Sequence, residues 1–279
     1  MGKRSEAHQF QMAARELKLP VFGELYRAVE CMAAVLYRKE RTGSGSVKYV
    51  AAETASISNH LPAMMTATSG IIDEFKSKQI LSLCNVPVVE EQIVTEAAEA
   101  KRLAGEFGYP VVLKGIMPGK VHKTELDLVR LGVSSANAVE TAFMDLQKNM
   151  SNNGTVLMQK QAQGYPELIA GLIRDPQFGP CVMCGFGGIL AEVIADSVFA
   201  AAPLTMEEAL NAIGRLKSQK LLNGFRGSQP VNREVLADIL VRLGDLGTAC
   251  EQIKEIDINP LIVNDGIPIA VDATIILDR

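Results

Sequence analysis

From Ile71 onward, stretches with a helical period of apolar residues alternate with short apolar runs of strand type. DEFKSKQILSLCN (73–85) predicts a helix that turns Phe75, Ile80 and Leu83 toward a core. VPVVEEQIV (86–94) follows as a strand. TEAAEAKRLAGEFG (95–108) reads as a helix, with Thr95 as N-cap and Gly108 as its stop. Glu96 and Glu99 put negative charge where the helix dipole favours it, but Ala98 rules out a full capping box. YPVVLKGI (109–116) and LVRLGVS (128–134) are strands on either side of a loop, and SANAVETAFMDLQKNM (135–150) is a capped helix. TVLMQKQ (155–161), ELIAGLIRD (167–175) and GPCVMCGFG (179–187) are strands, and 206–223 and 231–247 are helices. A hairpin at 253–277 closes the chain.

Upstream the pattern is weaker. Residues 5–18 predict a short helix before Pro20, PVFG (20–23) a strand, and 24–40 a helix with Ala28, Met32, Val35 and Leu36 on one face. RTGSGSVK (41–48) has the composition of a flexible linker. The expected organisation is therefore a small αβα piece over 1–45, a linker over 46–70, and a main domain over 71–279. That domain divides into lobes near 71–155 and 156–279. The order of elements is α+β with two lobes, not a simple β-α-β-α repeat.

Composition narrows the function. With 48% hydrophobic residues a substantial core is possible, and a net charge of −4 with a pI near 5.6 argues against a nucleic-acid binder. No run approaches the ~18 apolar residues of a membrane span. The N-terminus lacks an apolar signal core, and Glu6 breaks the myristoylation pattern, so a cytoplasmic protein is expected. Five cysteines do not suggest a disulfide framework. Cys181 and Cys184 lie three apart in a strand-like run, so they point to opposite faces, which disfavours redox or zinc chemistry.

The C-terminal hairpin carries candidate chemistry. In KEIDIN (254–259), Ile256 and Ile258 face one way, and Glu255, Asp257 and Asn259 the other. Asp265-Gly266 is a two-residue hairpin turn, which pairs Asn264 with Ile267 and sets Asn259 directly opposite Asp272. Opposed side chains lie ~5 Å apart, so these two hard oxygens suit one Mg²⁺ completed by water or phosphate. A hairpin with a merely polar outer face is the alternative.

Other signals are weaker singly. Lys114 ends the run YPVVLK, either as a snorkelling strand end or as a point charge for phosphate. GFGG (185–188) lets backbone approach an anion but lacks dinucleotide spacing, and GIMPGK (115–120) is not a P-loop. His122, one of three histidines, stands in GKVHKT (119–124) between Lys120 and Lys123.

Taken in order, these motifs resemble the ATP-grasp domain of the NDP-forming acyl-CoA synthetases, related to the succinyl-CoA synthetase β subunit. The resemblance covers roughly residues 70–279. It rests on GYPVVLK (108–114), HKTELDLVRLGV (122–133), RDPQFGPCVMCGFGGILAEV (174–193), FRG (225–227), EIDINPLIV (255–263) and VDA (271–273). The first ~40 residues resemble the tail of the CoA-ligase domain that precedes this module in fused members. The resemblance implies a two-lobed ATP-grasp fold that binds ATP or ADP with Mg²⁺. Lys114 would hold nucleotide phosphates, and Glu167 the ribose. The backbone of MQKQA (158–162), with Gln159, Lys160, Gln161 and Ala162, would meet the adenine. Asn259 and Asp272 would bind Mg²⁺, and His122 would carry the phosphoryl group as a phosphohistidine. A CoA-binding α-type subunit or domain is the implied partner, giving a hetero-oligomer.

The sequence departs from the family in four places, covering five positions. Asp127 and Leu128 replace a glycine pair, and Lys160 stands at or beside a usual glutamate. Ala200 and Thr274 replace arginines. A nucleotide-binding module without turnover, and a ligase acting directly on a carboxylate, are the alternatives to an ADP-forming synthetase.

Overall fold

The computed structural model describes residues 70–117, 126–188, 196–224 and 228–278. The predicted αβα piece, His122 and the FRG stretch lie outside them. The chain divides into two compact units at 51/52. The second unit is built on two antiparallel sheets.

The smaller sheet has four strands: β2 (Glu91–Val94), β3 (Val111–Ile116), β4 (Val129–Val133) and β5 (Thr155–Lys160), in the order β2-β5-β3-β4. Helices α2 (Ala97–Phe107) and α3 (Ala136–Asn149) cover one face. Strand alternation sends Val111 and Leu113, with Val156 and Met158, into the core beneath those helices. Val112 and Lys114, with Leu157 and Gln159, point the other way and are buried there too.

The larger sheet has seven strands, in the order β1-β11-β9-β6-β7-β8 with β10 beside β9. They are β1 (Ile71–Ile72), β6 (Glu167–Asp175), β7 (Gly179–Phe186), β8 (Ser197–Ala201), β9 (Ile253–Asn264), β10 (Ile267–Ala270) and β11 (Ala273–Leu277). Helices α1 (Glu74–Leu83), α4 (Met206–Gly214) and α6 (Arg233–Ala249) bury their apolar faces against it. The sheets thus divide the second unit differently from a cut at 155/156. β5 belongs to the small sheet, while β1 and α1 join the large one.

Most predicted elements form, and the differences have local causes. Helix α1 buries Glu74, Ser77, Lys78, Ile80 and Leu81, leaving Phe75 half-buried and Leu83 48% exposed. Its inward stripe is therefore partly charged. Thr95 does not cap α2: Glu96 holds the N-cap position, and the Glu99 carboxylate instead accepts the Thr95 backbone N–H at 3.0 Å. The single helix expected over 206–223 ends at Gly214 and resumes only as α5 (Gln219–Leu222). The Asp196 carboxylate takes the backbone N–H groups of Lys217 (3.0 Å) and Ser218 (2.7 Å), drawing the chain out of the helix. Cys184 is buried and Cys181 half-buried, as alternation in β7 requires.

The chain passes from the small sheet to the large one over residues 161–166. Gly164 is required there, because a Cβ would overlap the Val263 carbonyl. Tyr165 then donates its N–H to that same carbonyl at 3.0 Å.

Candidate functional site

The hairpin register agrees with the sequence expectation. Asp265 and Gly266 both take positive φ, as a two-residue turn of this hand demands. Asn264 pairs with Ile267 and Leu261 with Ala270, and beyond a gap Ile258 pairs with Ala273. Within the gap the Asn259 N–H reaches the Asp272 carbonyl at 3.2 Å, so the two residues lie opposite each other. Ile258 and Leu261 are both buried although three residues apart. The alternation slips at Asn259-Pro260, where β9 also shifts register against β6 between Leu168 and Ala170. Such a bulge re-aims side chains. It leaves Asn259 exposed and the Asp272 side chain 30% exposed.

The same break makes the Val271 carbonyl available to side chains, since residues 271 and 272 stand outside the strand ladder. Three donors converge on it: Lys78 Nζ at 2.9 Å, Lys114 Nζ at 3.2 Å and Gln159 Nε2 at 3.1 Å. These three side chains also meet on Glu74. Its Oε1 accepts from Lys78 and Lys114 at 2.7 Å each and from Gln159 at 3.0 Å. Glu91 Oε2 accepts from Lys78 at 2.5 Å and from Gln159 at 2.7 Å. Lys114 finally reaches Asp272 Oδ2 at 3.4 Å.

This polar knot joins the two sheets. Lys114, Gln159 and Glu91 come from the small sheet, Glu74 and Lys78 from α1, and residues 271 and 272 from the large sheet. Lys114 is buried, not a snorkelling strand end. Burial alone would lower its pKa, but Glu74 and Asp272 more than offset that and hold it above the usual lysine value. It is a fixed cation at neutral pH. Burial pushes the Glu91 carboxyl up, against the pull of Lys78 and Gln159. Gln159 Oε1 is buried without a hydrogen-bond partner among the described residues, an unusual state for a buried polar atom.

Other predicted residues lie around this knot. Lys160 is exposed at the end of β5, and its N–H donates to the Glu90 carbonyl. Gln161 Oε1 accepts from Gly132 N at 2.7 Å, and Ala162 is half-buried in the crossing. Glu167 begins β6 on the face opposite the large core, and its carboxylate lies against Gly188. That is what the GFGG turn does here: Gly188, at φ +57°, leaves room that a side chain would take from Glu167. His122 lies outside the described residues, so its relation to the knot is not part of this geometry.

The departures also have local accounts. Asp127 holds φ +52°, a left-handed conformation that glycine adopts freely and that aspartate tolerates. Its carboxylate is neutralised by two bonds from Arg130, at 2.9 and 3.0 Å, and takes a third from Asn149 at 3.1 Å. Leu128 is buried in the small-sheet core. Ala200 packs against the large core. Thr274 stands opposite Asp257, whose carboxyl is pushed up by burial and by Glu255 and Asp272.

Glu74, Lys78 and Glu91 were not singled out from sequence. Glu74, Ser77, Lys78 and Leu81 form an i, i+3, i+4, i+7 stripe with opposite charges four apart, and that was the available signal. The donor set fits a magnesium nucleotide. Among the described residues no group of three His, Cys, Asp or Glu side chains stands ready to hold a metal alone. Asn259 and Asp272 would share Mg²⁺ with phosphate and water, its usual mode in such sites.

Comparison with known proteins agrees in kind. The ATP-grasp domain family model matches residues 63–277. The chain is 41% identical over 211 residues to the β subunit of acetate–CoA ligase (ADP-forming) I of Pyrococcus furiosus, covering 73% of this chain and 90% of that one. It is 36% identical over 204 residues to the acetate–CoA ligase (ADP-forming) I of Archaeoglobus fulgidus, covering 71% of this chain but 30% of that longer protein. Among solved structures it is similar to the dinucleotide-forming acetyl-coenzyme A synthetase 1 of Ca. Korarchaeum cryptofilum. The TM-score is 0.70 at 36% identity, over 80% of this chain and 100% of that one. That structure holds coenzyme A and Mg-AMPPCP, with its phosphohistidine segment pointing towards the nucleotide binding site. Among the described residues no helix is long and apolar enough to cross a membrane.

Proposed function

The chain belongs to the ATP-grasp domain family, and from that premise we propose that it is the nucleotide-handling part of an ADP-forming acyl-CoA synthetase. It works as a β-type subunit beside a CoA-binding α-type partner. The observation that carries this reading is the meeting of Lys114 with Asp272 at 3.4 Å, with Asn259 paired opposite Asp272. A phosphate-seeking cation thus stands beside a metal-seeking carboxylate, on the residue that faces Asn259 across the hairpin, which supports the reading.

Each residue has a task there. Lys114 holds nucleotide phosphates as a fixed positive charge. The backbone of Gln159 to Ala162 borders the adenine, and Glu167 accepts from a ribose hydroxyl. Asn259 and Asp272 hold Mg²⁺, which when bound neutralises phosphate charge. His122 attacks as neutral imidazole: a nitrogen–phosphorus bond forms as the phosphoryl group leaves its donor, and the reverse attack by ADP regenerates the imidazole. Lys120 and Lys123 beside it favour an incoming phosphate. The subunit name of the Pyrococcus furiosus relative, 90% of which is covered here, supports the division of labour with a partner.

The test mixes the chain with a matching CoA-binding subunit, an acyl-CoA and labelled phosphate. Acid-labile label on His122, absent in His122→Ala, is the expected result. No label, or label that survives the substitution, contradicts the relay.

A further inference from the structure

Strand β8 ends the large sheet, and among the described residues no strand pairs with its outer edge. Which of its main-chain groups point outward follows from the bonds that flank it. The Ala202 N–H donates to the Pro180 carbonyl and the Phe186 N–H to the Asp196 carbonyl, in a register that sets Cys181 opposite Ala201 and Met183 opposite Phe199. Val198 and Ala200 therefore turn their main-chain groups to β7, and Ser197, Phe199 and Ala201 turn theirs outward. All three are exposed, Phe199 by 57%. At Phe199 the outward carbonyl accepts from Arg215 Nη2 at 3.0 Å.

Sheet edges are usually blunted by charged side chains, proline or a bulge. SVFAA (197–201) has no charge and no proline, and its register against β7 runs without a shift. Arg215 is itself exposed, so it can release the Phe199 carbonyl into water without burying its charge. We propose that this edge is a self-association surface: two copies of the chain join antiparallel, β8 to β8, about a two-fold axis at Phe199. The charge pattern favours a second copy as the occupant. A net charge of −4 makes like copies repel in general, and at β8 both can meet without charge. Pairing centred on Phe199 sets Ser197 opposite Ala201 of the second copy. Each outward N–H then meets an outward carbonyl, and the two Phe199 rings lie side by side on the face away from the large core, against which Val198 and Ala200 pack. Such an isologous contact closes as a dimer and uses up the edge. β8 lies three strand spacings from β9, about 14 Å, so the pairing leaves Asn259 free and needs no nucleotide.

Sedimentation equilibrium of the ligand-free wild-type chain tests this, and a dimer is expected. Phe199→Lys sets two like charges at the axis, and Ala201→Pro removes an outward N–H that β7 does not use. Each should raise the dimer dissociation constant about tenfold or more. A wild-type chain that stays monomeric at ~100 µM overturns the proposal, including the case in which only a CoA-binding subunit supplies the added strand. A dimer that both variants leave intact overturns it too. Hydrogen exchange reads the same pairing without a variant, and decides if neither variant folds. Between dilute and concentrated wild-type chain, the amides of Ser197, Phe199 and Ala201 should gain protection, while those of Val198 and Ala200 are protected throughout. No gain at the three outward amides overturns the proposal, even if the chain dimerises elsewhere.

Discussion

Lys114 Nζ and Asp272 Oδ2 stand 3.4 Å apart, one from the small sheet and one from the break between β10 and β11 of the large sheet. Asp272 is the second carboxylate on Lys114, beside Glu74 at 2.7 Å. A magnesium nucleotide offers phosphate to the lysine and a cation to the Asp272 carboxylate, so the contact between the two can be exchanged for contacts to one ligand. Metal-free ADP offers only the first half of that exchange. Asp272→Asn should therefore reduce the ratio of ADP affinity with Mg²⁺ to that without it, by about tenfold, the worth of one charge-assisted contact. Titrations with Mg²⁺ and with a chelator measure that ratio, and an unchanged ratio speaks against Asp272 as the metal ligand.

The backbone at Asp127 makes a different prediction. At φ +52°, alanine would carry the left-handed cost, whereas glycine would not. Asp127→Ala should be less stable than Asp127→Gly by about 1 kcal/mol, by urea denaturation. Both lose the contacts to Arg130 and Asn149, so the difference isolates the backbone. Equal stabilities would mean that the turn relaxes to another conformation.

Asp196 governs a pH dependence. Burial would raise its carboxyl, but the backbone N–H groups of Lys217 and Ser218 outweigh that and hold it below the ordinary value of 3.8. Its contribution is thus full above 3.8 and is lost as pH falls through the depressed native value. Asp196→Asn should cost about 2 kcal/mol at pH 7. Its penalty should shrink on acidification below the ordinary aspartate range. A penalty that is constant with pH would assign the role to shape and not to charge.

Much of this was legible in the sequence because it depends on short-range rules. The turn at Asp265-Gly266 fixed the register that sets Asn259 opposite Asp272, and strand alternation separated Cys181 from Cys184. What was hidden depends on contacts between distant elements. Nothing near Glu74 or Lys78 says that their helix packs on the large sheet while its charged stripe meets Lys114, 40 residues from Glu74 along the chain. A hydrophobic reading of α1 gave Phe75 and Leu83 the core positions, because buried charges are rare unless paired and the partners lie elsewhere. The glycine pair expected after His122 was likewise read by residue type, whereas the structure at Asp127 keeps the conformation and changes the residue.

The account stands most directly on ADP binding by the isolated chain. Calorimetric titration should give saturable binding with Mg²⁺. Lys114→Ala should lose it by about a hundredfold, because that lysine supplies a buried, charge-assisted contact to phosphate. No binding by the wild-type chain, or equal binding by Lys114→Ala, would contradict the assignment of this site.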